Sequence, residues 1–247
     1  MNKDETFKLP RLYTTEALAA ETLIPLEAGQ AHYLHNVLRR KEGDLIRLFN
    51  GKDGEWLACL RDLAKKGGNA QLTERLSPQP TLRRRVHLLF TPIKKHRMDW
   101  MIEKIVELGV TNLHPVLTQN TEVRKINAER IEAQIFEATE QCERFIIPTL
   151  HPLEALDKKL AAWPPHELGG ERKDIKVLAC LERYDAPHIH KSGIAKNEDV
   201  AFLIGPEGGF TAEEKDKIAE TCKAVTLGTT VLRCETAAIK ALILLNA

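Results

Sequence analysis

The chain has 247 residues, 43% apolar and 29% charged, with 36 Lys and Arg against 35 Asp and Glu. That length supports one large domain or two small ones with real cores. The net charge of +1 alone predicts no nucleic-acid partner, and no apolar run approaches the ~20 residues of a membrane span. Met1-Asn2-Lys3-Asp4-Glu5 lacks the basic and apolar regions of a signal peptide, so a cytoplasmic protein with no membrane partner is expected. The five cysteines are odd in number and form no Cys-x-x-Cys, so neither a disulfide framework nor a metal site is expected.

In chain order, residues 1–78 read as short strands and turns. Arg11-Leu12-Tyr13 begins a strand, and 30–39 forms a short helix with Leu34, Val37 and Leu38 on one side. Residues 44–50 and 56–60 read as a hairpin punctuated by Asn50-Gly51 and Asp53-Gly54. A turn at 65–69 precedes a third strand. Residues 1–85 carry 15 Lys and Arg against 11 Asp and Glu, a surplus of 4, a sign that suits contact with RNA. Arg39-Arg40-Lys41 is the densest basic cluster there; it is either a solvated face or a set of phosphate contacts. His32 and His35 lie near it without other metal-ligand partners.

Leu76-Ser77-Pro78-Gln79-Pro80 reads as a linker. Beyond it the pattern alternates: strand 86–90, helix 97–108 stopped by Gly109, strand 113–117, a long helix 127–142, a short helix near 153–162, and strand 175–181. Alternation of this kind predicts a mostly parallel sheet. Residues 163–174 and 187–198 read as irregular excursions, with His188 and His190 exposed.

The last fifty residues hold two strand–loop–helix units. Gly205-Pro206-Glu207-Gly208-Gly209 follows strand 200–204 and leads to Thr211, which with Glu214 forms a capping box. Leu227-Gly228-Thr229-Thr230-Val231-Leu232-Arg233 follows strand 224–227 and leads to a helix 236–246, with Thr236 or Cys234 near its cap. In parallel α/β sheets ligands sit outside the carboxyl ends of strands, where both loops lie. The last helix is apolar almost all round and must be covered.

These two loops, with Met98 to Val110, Glu140-Gln141-Cys142-x-Arg144 and His35-x-Val37-Leu38-Arg39, resemble the RsmE family in order along nearly the whole chain. The resemblance implies a SPOUT-class α/β methyltransferase at 83–247, with a C-terminal trefoil knot within roughly 175–247, preceded by a PUA-like β-barrel at 1–78. It implies S-adenosylmethionine as methyl donor, N3 of a uridine in small-subunit ribosomal RNA as acceptor, the small subunit as setting, and a homodimer. By the same resemblance the donor is held by Leu181, Ile204, Gly205, Pro206, Glu207, Gly208, Gly209, Leu227, Gly228, Val231, Leu232 and Arg233. Arg233 is the candidate cation at the uridine, and Glu207 or Glu235 the candidate proton acceptor. Arg11, Arg39, Arg40 and Arg144 are candidate RNA contacts. Thr229-Thr230 stands where the family often has Pro-Arg, one positive charge fewer. Ribose 2′-O methylation, or RNA binding without catalysis, is the competing reading. No Gly-x-x-x-x-Gly-Lys-Ser/Thr occurs to support a nucleotide hydrolase.

Overall fold

The computed structural model describes residues 3–164 and 175–246 and divides into two compact units. Residues 165–174, most of the first expected excursion, lie outside the described residues. The first unit runs to Thr81 and also takes in Thr139–Ile147; the second comprises Leu82–Ala138 and the chain from Pro148. Two contiguous domains, 1–78 and 83–247, do not contain that grouping of Thr139–Ile147.

The first unit has α1 (Lys3–Thr6), β1 (Arg11–Tyr13), β2 (Leu23–Pro25), α2 (Ala28–His32), β3 (Leu45–Phe49), β4 (Glu55–Ala64) and β5 (Gly67–Ser77). The expected 30–39 helix is α2 followed by one π-helical turn, Tyr33–Val37. The sheet order is β1-β3-β4-β5-β2, antiparallel except for β1 with β3. Residues two apart in a strand share a face. Ala58 and Leu60 on β4 thus meet Leu72 and Ala70 on β5, and all four are buried with Leu34 and Ile46. Each buried leucine contributes about 2 kcal/mol of apolar transfer. The hairpin turn is held by Asn50, whose Oδ1 accepts the N–H groups of Lys52 and Asp53 at 2.9 and 2.8 Å. Gly54 is required there: its φ is +85°, and a Cβ would lie 2.2 Å from the Ser77 carbonyl.

Arg11 departs from the expectation of an RNA contact. It is 7% exposed; its Nε donates to Glu55 Oε1 at 2.6 Å, and its terminal nitrogens donate to the carbonyls of Thr139 and Arg144. Its guanidinium carbon lies 3.6 Å from the Phe49 ring centroid. Arg47 reaches the same Glu55 and donates to Glu143 at 2.6 Å. Tyr13 N–H donates to Glu140. These bonds bring the 139–147 segment into the first unit, and they leave the Arg11 side chain no face toward a ligand. Arg144 is half-buried, and burial lowers its pKa.

The second unit has β6 (Val86–Phe90), α3 (Lys95–Glu107), β7 (Asn112–Leu117), α4 (Ala128–Gln141), β8 (Thr149–Leu150), β9 (Glu154–Ala155), α5 (Leu156–Ala161), β10 (Lys176–Cys180), β11 (Val200–Ile204), α6 (Ala212–Thr221), β12 (Lys223–Val225) and α7 (Cys234–Asn246). Its strands are parallel throughout, in the order β12-β10-β11-β6-β7-β8, with β9 beside β7. β6 and β11 are buried at every position, as strands covered on both faces must be. α3 buries Met98, Met101, Ile102, Ile105 and Val106, the three-and-four spacing of one helix face. It ends at Gly109 in a left-handed conformation.

α7 starts two residues before the expected Thr236 and buries Cys234, Glu235, Ala237, Ala238, Ala241 and Leu242. Its cover is one-sided, since Ile243 remains 48% exposed. The two short strands β8 and β9 have no counterpart in the expected pattern. A stack of buried histidines also spans the sheet. His87 Nδ1 lies 3.0 Å from His114 Nε2, and the His114 and His151 ring centroids are 4.0 Å apart. The exposure expected of His190 is observed, while His188 is half-buried and bridges to Thr226. Among the described residues no helix is long and apolar enough to cross a membrane.

Candidate functional site

The carboxyl ends of β10, β11 and β12 open into a cleft of about 450 Å³ in the second unit. Three loops wall it: Leu181–Arg183 after β10, Gly205–Phe210 after β11, and Thr226–Arg233 after β12. Each of the twelve residues that the resemblance assigns to the donor lies on this wall. Arg183, also on the wall, has a left-handed φ of +53°.

The loop after β11 is held from three directions. Asn120 donates through Nδ2 to the carbonyls of Gly208 and Gly209, at 3.3 and 3.0 Å. Cys234 donates through Sγ to the Gly205 carbonyl at 3.0 Å. Arg97, on the first turn of α3, forms an ion pair with Glu207. The loop then packs on itself: a Cβ at Gly205 would lie 2.5 Å from the Phe210 ring, so only glycine admits that ring so close to the main chain. The Thr211 capping box forms as expected, with Thr211 Oγ1 accepting from Glu214 N–H at 3.2 Å and Glu214 Oε2 accepting from Thr211 N–H at 2.9 Å. The free oxygen of Glu214 accepts from Gln119 N–H at 2.7 Å, which fixes the helix start against the turn after β7.

The two candidate proton acceptors differ. Glu207 lines the cleft, and the Arg97 hydrogen bond, opposed by partial desolvation, holds its carboxyl below the usual carboxylate range. Glu235 sits behind the wall, 5% exposed, with Oε1 3.9 Å from Arg97 Nη1 and Oε2 without a hydrogen-bond partner. Arg233 is exposed on the cleft wall. Burial pushes the Cys234 thiol up to about 12, so it serves as a hydrogen-bond donor and not as a thiolate nucleophile.

Arg39 and Arg40 belong to the first unit. Arg39 is exposed, with a φ of +53° that ends the preceding helix; Arg40 is half-buried, and its Nε has no partner. Arg97 was not legible as a site residue. It lies 110 positions from Glu207, and nothing local to Lys94-Lys95-His96-Arg97 marks one of these cations as different.

The cleft fits a nucleoside-bearing sulfonium donor. Its volume is that of a small-ligand pocket. Leu181, Ile204, Leu227 and Leu232 supply apolar walls, and glycine-rich main chain supplies close polar groups.

Comparison with known proteins follows the same division. Residues 80–246 match the RNA methyltransferase domain family, and residues 26–72 match the RNA methyltransferase PUA domain family. The ribosomal RNA small subunit methyltransferase E of Rickettsia conorii is 32% identical over 241 residues, covering 95% of this chain and 94% of that protein. The protein of the same name from Synechocystis is 33% identical over 247 residues, covering 96% and 77%. The crystal structure of the Neisseria gonorrhoeae ribosomal RNA small subunit methyltransferase E bound to S-adenosyl methionine superposes with a TM-score of 0.82 at 29% identity, covering 95% of each chain.

Proposed function

Because this chain belongs to the ribosomal RNA small subunit methyltransferase E family, we propose that it methylates N3 of a uridine in small-subunit (16S) ribosomal RNA with S-adenosylmethionine as donor. Its second unit has the SPOUT-type α/β methyltransferase fold, and its first the PUA-like fold. The observation that carries the reading is the three-loop cleft at the ends of β10, β11 and β12, with Arg233 exposed on its wall.

When bound, S-adenosylmethionine supplies a methyl carbon on a positively charged sulfur, electrophilic enough to pass intact to a nitrogen. This chain's residues must then do three things. Main-chain groups of Gly205–Gly209 and Leu227–Leu232 hold the donor in line with the base, and such positioning supplies much of the rate. Arg233 places a cation where charge develops on the uracil carbonyl oxygens as N3 loses its proton. The donor held by these loops would supply the methyl to N3 and would keep the electron pair of the carbon–sulfur bond on its sulfur. Glu207, on the wall, is the nearer proton acceptor; its pairing with Arg97 lowers its basicity, so the proton passes on to water.

The first unit serves the RNA. Arg39 and Arg40 neutralise phosphates, which makes binding fall with salt. The target uridine is unpaired, since its Watson–Crick edge must reach the cleft. The same reading takes the assembled small subunit in the cytoplasm as the acceptor and a homodimer as the working form. Trp100 on α3 and Ile243 on α7, helices that pack together, are 47% and 48% exposed, which supports a second copy covering them. The trefoil knot belongs to this reading too, supported by the return of α7 onto α3, β11 and the turn Ile189–Lys191.

The test combines unmodified small subunits, labelled S-adenosylmethionine and nucleoside mass spectrometry. The expected result is N3-methyluridine from the wild type and about 100-fold less from Arg233→Ala, with donor binding retained. A ribose-methylated product would overturn the base assignment, and an undiminished variant would remove Arg233 from the site.

A further inference from the structure

We propose that Arg97 is a positioning residue for the methyl donor: it ties the loop after β11 to the first turn of α7 and so sets the cleft between them. The inference rests on the donor-binding reading above. Three separate stretches of chain supply the parts. Arg97 stands on α3, after β6; Glu207 is in the loop after β11; Glu235 is in the first turn of α7. One guanidinium therefore faces two carboxylates.

The topology explains the meeting place. β6 and β11 are neighbours, but the chain leaves them in opposite directions. After β6 it moves toward the β8 edge, and after β11 toward the β12 edge. The two outgoing segments part at the strand ends, and such a switch point is where parallel α/β sheets leave room for ligands. A small crevice opens there, lined by Pro92–Lys94, Asn120 and Glu122–Val123, and it shares Pro206 and Glu207 with the larger cleft.

The electrostatics define what Arg97 does. Glu235 is buried and one of its oxygens has no hydrogen-bond partner, so a nearby cation offsets part of the cost of burying it. Among the described residues, the ion pair recorded for Glu235 within 4.0 Å is with Arg97. Without that guanidinium, both carboxylates lose their shared cation, and one of them is buried. Relief comes from water entry or displacement of α7's first turn. That turn carries Cys234, whose thiol holds the Gly205 carbonyl, so its displacement passes directly to the donor loop. Asn120 anchors the far end of the same loop at Gly208 and Gly209 and is unaffected. The loop then swings about Asn120 and stays folded.

The groups facing Glu207 are Arg97 on α3, Lys94 just before it, Arg233 on the cleft wall, and Cys234 at the start of α7. Lys94 is shared with Glu122 at 3.7 Å, and Arg233 is exposed, so Arg97 is the principal partner. Removing it lets the Glu207 pKa rise toward its ordinary value.

The experiment measures S-adenosylmethionine binding by calorimetry and the pH profile of transfer to small subunits, using the full chain. Arg97→Ala should raise the donor dissociation constant about tenfold and increase KM for donor more than it lowers kcat. It should also move the acid limb of kcat/KM to higher pH. Arg97→Lys should restore most of the affinity. In donor affinity, adding Glu207→Gln to Arg97→Ala should cost little more, because the two share one interaction. Donor affinity unchanged in Arg97→Ala would overturn the proposal, as would additive effects of Arg97→Ala and Glu207→Gln on donor affinity. A wild-type chain that binds no S-adenosylmethionine would instead sink the donor reading itself.

Discussion

Each unit contains a cluster of arginine and glutamate, and the two differ in proportion: two against two in the first, one against two in the second. In the first unit Arg11 and Arg47 share Glu55, with side chains 3%, 4% and 8% exposed. Glu143 balances the second guanidinium, and the carbonyls of Phe7, Leu9, Thr139 and Arg144 accept the remaining N–H groups. In the second unit Arg97 stands between Glu207 and Glu235, with side chains 17%, 35% and 6% exposed. There the surplus is negative, and one carboxylate oxygen is left unpaired next to a cleft. The first arrangement is closed and holds a fold together. The second has bonding capacity left over beside the proposed site of a cationic donor. Residue type does not separate the two clusters; stoichiometry and the presence of a neighbouring cleft do.

Three measurements break or sharpen this contrast. Glu55→Ala removes the shared anion from two buried guanidiniums. It should cost about 4 kcal/mol of stability in urea denaturation, the scale for breaking a buried pair, while donor affinity of the folded fraction stays unchanged. A loss of donor affinity without loss of stability would show that the closed cluster is not merely structural.

Acid should act on a third buried group, the histidine stack, before it reaches either carboxylate cluster. Burial lowers the His87 pKa to about 4, and the His114 pKa is lowered further by burial and by His151 and His87. The unfolded chain binds a proton near pH 6.5 that the folded chain refuses until lower pH. Stability is therefore complete above about pH 6.5 and is lost as pH falls toward 4, by about 3 kcal/mol for His87. His87→Gln should flatten that part of a stability–pH curve, and an unchanged slope would contradict the assignment.

Gly205→Ala has the smallest expected effect on the fold, about 1 kcal/mol, because Phe210 at the loop edge can shift. Donor affinity should nonetheless fall about tenfold, read by calorimetry, since the ring and the Gly205 carbonyl both frame the cleft. Unchanged affinity would mean that the loop tolerates a wider opening than its packing implies.

Much of the second unit was legible locally. The runs at Val86–Phe90 and Val200–Ile204 are strands because short apolar stretches bounded by turn residues suit a sheet covered on both faces. The Thr211–Glu214 capping box depends on residues three apart and on nothing else. The two donor loops followed from glycine punctuation at strand ends. β8 and β9, two residues each, left no periodicity to read. α7 is apolar on every side in sequence, but sequence cannot say which neighbours exist, and Ile243 is left 48% exposed among the described residues.

The sequence by itself determined where strands, caps and sharp turns fall, because each depends on a few adjacent residues. It also carried the family resemblance. Only the tertiary structure decided what the charged side chains do. Arg11 is among the residues first taken for RNA contacts, yet it is buried, because β1 pairs with β3 and faces Glu55 and the carbonyls of Thr139 and Arg144. Arg97 meets Glu207, 110 positions away in sequence, only because β11 inserts between β10 and β6, which brings the ends of β6 and β11 side by side. A charge acts through space, and its partner is set by strand order; neither is written in the residues beside it.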